Sequence, residues 1–322
     1  MEWSIGIDVG GTNIAAGLVD QSKTIVDSVQ TKTRVPRPAA SIVDSMVDLV
    51  HALLRRNSLT QSDLRAIGVG LPGVVDPARG LLLKASNLHL VDVDMMGLLR
   101  TRFPQTPVAI GNDADCAAWG EWVAGDIDPK ESVLLITLGT GLGGGFITNG
   151  TIFRGGTGCG IEPGHITVVA DGGLACTCGR TGCLECYTTI RGMKYLVGEA
   201  LADDPSSVLW SAVNVDTAYF RTADVFEAAR QGDRAATTAL DRYVHYLALG
   251  LRTFDVLYRP HRILLGGGIS YAGDQLLTPL IARMDAMAQS EPASQPKPIV
   301  ALSRLGNDAG IIGAAYLIDA TP

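Results

Sequence analysis

Residues 5–20 read IGIDVGGTNIAAGLVD, and residues 135–150 read LITLGTGLGGGFITNG. Each stretch starts as an apolar strand, passes a Gly/Thr turn, continues as a second strand and ends on an Asp or Asn turn. Asp8 aligns with Thr137, and Gly10 with Gly139. This is the pattern of an internal repeat: two α/β domains of similar build, each offering one glycine turn. Such a turn after a strand lets backbone N–H groups approach phosphate oxygens with no side chain between them. A third glycine cluster, Gly266-Gly267-Gly268, follows the apolar run 262–265.

Outward from these turns, residues 4–9, 13–19 and 24–30 read as strands. Ile42, Met46, Leu49, Val50 and Leu53 recur at helical spacing, with Ser41 placed as N-cap. Strands are expected at 66–69, 107–111 and 132–138, and a helix at 114–124. Thr222 would cap a helix to Arg230, and a long helix would span 233–258. The Pro-rich polar run 289–298 reads as a surface loop, and a small-residue helix follows from Asn307. The expected domains are 1–115 and 116–306, with the terminal segment 307–322 packing back on the first.

Acidic and basic residues are mixed along the chain, and the net charge is −7. No basic block suggests a nucleic-acid surface. No apolar run approaches the roughly 20 residues that span a bilayer. The start, Met-Glu-Trp-Ser-Ile, lacks the pattern of a signal peptide, so the cytoplasm is expected.

No Gly-x4-Gly-Lys-Ser/Thr occurs, which excludes a P-loop enzyme. Gly139, Gly141 and Gly144 match GxGxxG, but the residues after them read as strand. A dinucleotide site requires a helix there. Asp8 ends an apolar strand beside a phosphate turn, where a bare carboxylate would repel phosphate. It points to Mg²⁺, held through water. Asp113 lies in Asn112-Asp113-Ala114-Asp115, between a strand and a helix. It could take a proton from an attacking hydroxyl, and Asn112 could hold a neighbouring hydroxyl. Equally, these side chains could simply cap the helix.

Four of the six cysteines fall between Cys176 and Cys186. Cys176-x-Cys178-x4-Cys183 is a tight cluster, with His165 upstream. In a reducing compartment this points to a structural Zn²⁺ with four ligands. Spacing alone leaves the fourth ligand open between His165 and Cys186.

Taken together, DVGGT at 8–12, GLPG at 70–73, Asn87-Leu88, NDAD at 112–115, LGTGLGGG at 138–145, Glu162-x-Gly-His165, CTCGRTGCLE at 176–185 and LGGG at 265–268 resemble the ROK family of sugar kinases and repressors. The run 222–236 is similar to its bacterial glucokinase branch. The resemblance covers nearly the whole chain. It implies an actin-like (ribonuclease H-like) two-domain ATPase fold with a cleft between domains.

It also implies a hexokinase acting with ATP, glucose first, with Asp113 as general base on the 6-hydroxyl. Asn87, Asn112, Asp113, Glu162, His165 and Glu185 match positions that hold sugar. Gly10, Gly11, Thr12, Thr140 and Gly141 match contacts to ATP phosphates, and Gly267 and Gly268 lie on the nucleotide side. The zinc set becomes His165, Cys176, Cys178 and Cys183. A homodimer or homotetramer is common in such proteins. Other acceptors (allose, mannose, fructose, N-acetylmannosamine, N-acetylglucosamine) differ by one hydroxyl or acetamido group. A non-catalytic sugar sensor would be expected to carry a DNA-binding segment ahead of Asp8. Asn13 departs from the basic residue many relatives carry after the turn threonine, Gly160-Ile161 replaces the usual Ala-Gly, and Cys186 is an extra thiol.

Overall fold

The structure, a computed structural model, describes residues 2–213, 219–292 and 294–320. Residues 321–322 of the expected terminal segment lie outside that range. The chain forms two compact units. The first comprises residues up to Leu135, Gly145–Ile161 and the segment from Ser303. The second comprises Ile136–Gly144 and Glu162–Leu302.

The first unit opens with strands β1 (Trp3–Val9), β2 (Asn13–Val19) and β3 (Ile25–Lys32), followed by helix α1 (Ala39–Arg56). Strand β4 (Leu64–Leu71) leads into a small sheet of β5 (Val74–Asp76), β6 (Leu81–Ala85) and β7 (Leu90–Asp94). Helix α2 (Met95–Arg102), strand β8 (Val108–Asn112) and helix α3 (Asp113–Ala124) follow. The main sheet has the order β3-β2-β1-β4-β8. β1 runs antiparallel to β2 and parallel to β4.

Period-two alternation gives this sheet two different faces. Ile5, Ile7 and Val9 of β1 and Ile67, Val69 and Leu71 of β4 bury one face in a core shared with Ile42, Met46, Val50 and Leu53 of α1. The other face carries Ser4, Gly6 and Asp8, registered with Ala66, Gly68 and Gly70. These residues are small because a helix backbone lies directly on them. A Cβ at Gly6 would collide with the Ile311 carbonyl oxygen, and one at Gly68 with that of Ala314. The helix is the terminal one, Asp308–Ala315. It also packs against α3, where Gly120 and Gly313 leave no room for a side chain.

A second sheet is built from β9 (Val133–Leu138), β10 (Leu142–Thr148), β11 (Thr151–Ile152), β12 (Arg262–Gly266) and β13 (Ile299–Leu302), in the order β11-β10-β9-β12-β13. In sequence rank this repeats the order of the first sheet. The helices of the second unit are α4 (Glu185–Thr188), α5 (Ile190–Leu201), α6 (Trp210–Val213), α7 (Thr222–Arg230), α8 (Arg234–Tyr258) and α9 (Asp274–Met287); the terminal helix, in the first unit, is α10. No helix among the described residues is long and apolar enough to cross a membrane.

Two expected caps are corrected. α1 begins at Ala39, so Ser41 lies inside it; Pro38 is the cap, and its carbonyl receives the Ser41 and Ile42 N–H groups. Two alanines favour helix enough to extend it past the serine. Thr222 is the first residue of α7, and Arg221 stands at the cap without a side-chain bond. Asp233 does cap α8, accepting from the Ala236 N–H at 2.9 Å.

Candidate active site and metal centre

In the first unit, β1 delivers Asp8 and then turns through Gly10-Gly11-Thr12 into β2. The Gly10 N–H donates to the Asn13 carbonyl at 2.9 Å. Thr33, fully buried, braces the turn from behind. Its hydroxyl donates to the Gly10 carbonyl at 2.7 Å and its N–H to the Thr12 carbonyl at 2.9 Å. With these carbonyls engaged, the Gly11 and Thr12 N–H groups and the Thr12 hydroxyl are the donors the turn has left. Gly11 lies against Asn87: a Cβ there would stand 3.3 Å from the Asn87 Cβ. Asn87 itself is exposed, in the turn that joins β6 to β7.

β8 hands over to α3 at Asn112-Asp113. Asn112 Oδ1 accepts from the N–H groups of Ala114 (2.9 Å) and Asp115 (3.1 Å), so the capping role is present. Its Nδ2 donates to the Gly73 carbonyl at 2.8 Å, tying the GLPG turn to the start of α3. Asp113 occupies the first helical position, and its Oδ1 accepts from the Ala114 N–H at 2.9 Å. Burial pushes the Asp8 carboxyl above its ordinary pKa. Burial, and then the charges of Asp115, Asp8 and Asp113, push the Cys116 thiol up, with Arg154 opposing. Asp8, Asp113 and Asp115 thus all act on one buried thiol, and negative charge gathered in this way suits a bound cation.

The second unit carries the other turn. The Gly139 N–H donates to the Gly141 carbonyl at 3.1 Å, and the Gly139 carbonyl accepts from the Ile190 N–H at 3.0 Å. Strand resumes at Leu142, so Gly144 of the GxGxxG match lies within β10, as the strand reading required. Glu185, which opens α4, faces the turn: its Oε2 accepts from the Leu142 N–H at 3.1 Å. A Cβ at Gly141 would stand 3.1 Å from the same oxygen. Glu162 precedes the short turn Pro163–His165. Burial raises its pKa; His165 opposes the shift, and the Glu185 charge adds to it. Gly267, in the left-handed region at φ 82°, lies on Leu138, so the Gly266–Gly268 cluster borders the strand that feeds this turn. Thr140 is exposed at the turn's tip.

Beside Glu185 lies the metal cluster. One donor atom from each of His165, Cys176, Cys178 and Cys183 falls within 4.8 Å of all the others. Cys178 Sγ and Cys183 Sγ are 3.7 Å apart, and Cys176 Sγ is 3.6 Å from His165 Nδ1. A tetrahedral zinc site has S···S edges of about 3.8 Å and N···S edges of about 3.6 Å, from bond lengths of about 2.3 and 2.0–2.1 Å. The four residues fit the ion. Nδ1 faces the thiols, leaving Nε2 for another partner. The Arg180 N–H holds the Cys178 thiol low, at about 6, so one thiolate forms readily. Cys186 stays outside the group, its Sγ directed at the carbonyls of Leu174 and Ala175, both at 3.7 Å. Of the two candidates that spacing left open, His165 is the one whose ring nitrogen lies with the three thiols. Glu185 Oε1 lies 3.4 Å from the Thr177 hydroxyl, linking the cluster to the second turn.

Thr33 is the contributor that sequence reasoning missed; a threonine at a strand end carries no motif.

A model of the ROK family matches residues 4–321. A glucokinase of Halalkalibacterium halodurans is 36% identical over 317 residues, covering 98% of this chain and 94% of the relative. Among solved structures, a ROK family glucokinase from Streptomyces griseus, in complex with glucose and AMPPNP, is 33% identical with a TM-score of 0.80, covering 98% of both chains. A ROK hexokinase from Thermus thermophilus is 29% identical with a TM-score of 0.80, covering 98% of this chain and 99% of that one.

Proposed function

The chain belongs to the ROK family, and from that premise we propose that it is a glucokinase, moving the γ-phosphoryl group of ATP to the 6-hydroxyl of D-glucose. The observation that carries this reading lies in the first unit. A carboxylate at the start of α3, Asp113, shares that unit with a braced phosphate turn whose outer side meets Asn87. The similarity to glucokinases over nearly the whole chain supports glucose as acceptor.

Gly11, Thr12, Thr140 and Gly141 hold the phosphates through N–H groups and hydroxyls, Gly10 lets them approach the backbone with no side chain between, and Gly267 and Gly268 border the nucleotide. Asn87, Asn112, Glu162, His165 and Glu185 hold sugar hydroxyls. Asp113 accepts the proton of the 6-hydroxyl as its oxygen bonds to phosphorus, which spares the incipient oxonium its positive charge. Carboxylates that accept from sugar hydroxyls fix the ring, so the 6-oxygen stays in line with the leaving ADP oxygen.

Asp8 would hold Mg²⁺ through water; the ion supplies charge neutralisation on the transferring phosphates. His165, Cys176, Cys178 and Cys183 would hold a structural Zn²⁺, which supplies rigidity and no chemistry at phosphorus. With Nδ1 turned to the thiols, His165 offers Nε2 to the sugar. We place the enzyme in the cytoplasm, as a homodimer or homotetramer.

The reading is tested by phosphorus NMR of a reaction holding glucose, ATP and Mg²⁺. A phosphomonoester on the C6 oxygen, formed one for one with ADP, supports it. Inorganic phosphate as the sole product contradicts it.

A further inference from the structure

A short cationic edge, Lys32-Thr33-Arg34, runs beside the phosphate turn of the first unit. β3 ends at Lys32, which stands directly opposite Asn13 in the antiparallel register. Directly opposed residues share a face of the sheet, with Cβ atoms about 4.5–5.5 Å apart. Asn13 is neutral and is the first residue after Thr12. The next residue along β3's path, Thr33, clamps this edge to the turn by its bonds to Gly10 and Thr12. Lys32 and Arg34 are both exposed, and neither takes part in an ion pair among the described residues. Arg34 sits at φ 56°, a left-handed backbone that costs a non-glycine residue energy and recurs at functional sites.

The charge pattern sharpens the point. The chain carries a net −7, and three carboxylates of this unit, Asp8, Asp113 and Asp115, act on one thiol. A donor bearing several phosphate charges meets that field as it approaches the turn. The turn itself offers only neutral donors.

We propose that Lys32 bonds the terminal phosphate oxygens of the donor, with Arg34 adding to the local positive potential, so that the neighbouring strand supplies the charge that Asn13 does not. This rests on the turn being the donor-phosphate site. The bland alternative is that Lys32 only guards an edge strand, since β3 is the last strand of its sheet and lysines there discourage pairing with other chains.

The two are separated by Lys32→Met and Lys32→Arg in the full chain, with binding of Mg²⁺-ATP and of inorganic tripolyphosphate followed by calorimetry. Loss of one charge-assisted bond should weaken both ligands roughly tenfold in Lys32→Met, and Lys32→Arg should recover most of it. The KM for glucose should stay unchanged. Binding of both ligands within about twofold of the parent, with or without lower solubility, overturns the proposal and leaves the edge-guard role, because one lost charge-assisted bond exceeds that margin. Weaker ATP with unchanged tripolyphosphate also overturns it, since the contact would then be to the nucleoside. Gly11→Ala is the reference. If it weakens ATP and Lys32→Met does not, only this inference fails. If neither does, the donor-site reading of the turn fails with it.

Discussion

Gly11 and Gly68 are both glycines of the first unit, and replacing each by alanine should do opposite things. At Gly11 the backbone is outside the left-handed region, and an added Cβ meets only Asn87: its Cβ at 3.3 Å, and its Nδ2 and carbonyl oxygen at 3.6 Å. A shift of a few tenths of an ångström relieves that contact. The chain also gains about 0.4–1 kcal/mol from a stiffer unfolded state. Stability should therefore change by less than about 1 kcal/mol, or about 2–4 °C in Tm. The methyl, however, fills the space between the turn and Asn87, where on the proposed function the phosphoryl group and the sugar hydroxyl meet. Misplacing reacting groups by an ångström costs on the order of 100-fold in rate.

At Gly68 the added Cβ overlaps the Ala314 carbonyl oxygen and stands 2.6 Å from its carbon. Both belong to a helix backbone that cannot turn aside. Overpacking of this kind costs about 3 kcal/mol or more, a Tm loss of about 6–12 °C. Thermal unfolding and steady-state kinetics on both variants make the test. Gly11→Ala with kcat/KM within about threefold of the parent would refute the phosphate-site reasoning, since the geometric penalty should be far larger.

Asp113→Asn keeps the helix start but removes the base: turnover should fall by about 100-fold or more, while calorimetry shows glucose still bound. Unchanged turnover would remove Asp113 as the base. Cys178→Ser takes one thiolate from a set whose donors lie within 4.8 Å of one another. Zinc measured by mass spectrometry should be lost and the KM for glucose should rise; full activity without metal would show the cluster is dispensable. Thr33→Val strips the 2.7 Å bond from the Gly10 carbonyl while keeping the buried shape. The part-buried Gly10 carbonyl left unpaired should cost about 1 kcal/mol, and the KM for ATP should rise more than that for glucose. Equal changes in both would mean the brace is purely structural.

The repeated hairpins were legible because strand, Gly/Thr turn and strand are local, and period-two alternation reports them directly. The order of strands in each sheet was not, since parallel neighbours such as β1 and β4 are joined by long crossovers that no local pattern encodes. Gly6 and Gly68 sit inside runs that read as strands, where nothing local says why they are glycine. Only the helix from Asp308, laid on that face, reveals why no side chain fits. The cysteine spacing pointed to a metal cluster, but which residue joins the three thiols depended on how residues 163–165 turn, which spacing does not carry. Ser41 and Thr222 misled as caps because propensity at a helix start is weak against neighbouring alanines or an arginine held in extended backbone. At Asn112 both functional and capping readings were open. The structure gives its oxygen to the cap and its amide to Gly73, so one residue couples two motifs.

The most direct test of the account is ADP release from Mg²⁺-ATP, measured by a coupled assay, against a panel of glucose, mannose, allose, fructose, N-acetylmannosamine, N-acetylglucosamine and no sugar. The account predicts release that requires an acceptor and is fastest, by kcat/KM, with glucose. ADP released equally without any sugar, or no release with any of them from zinc-loaded protein, would contradict it.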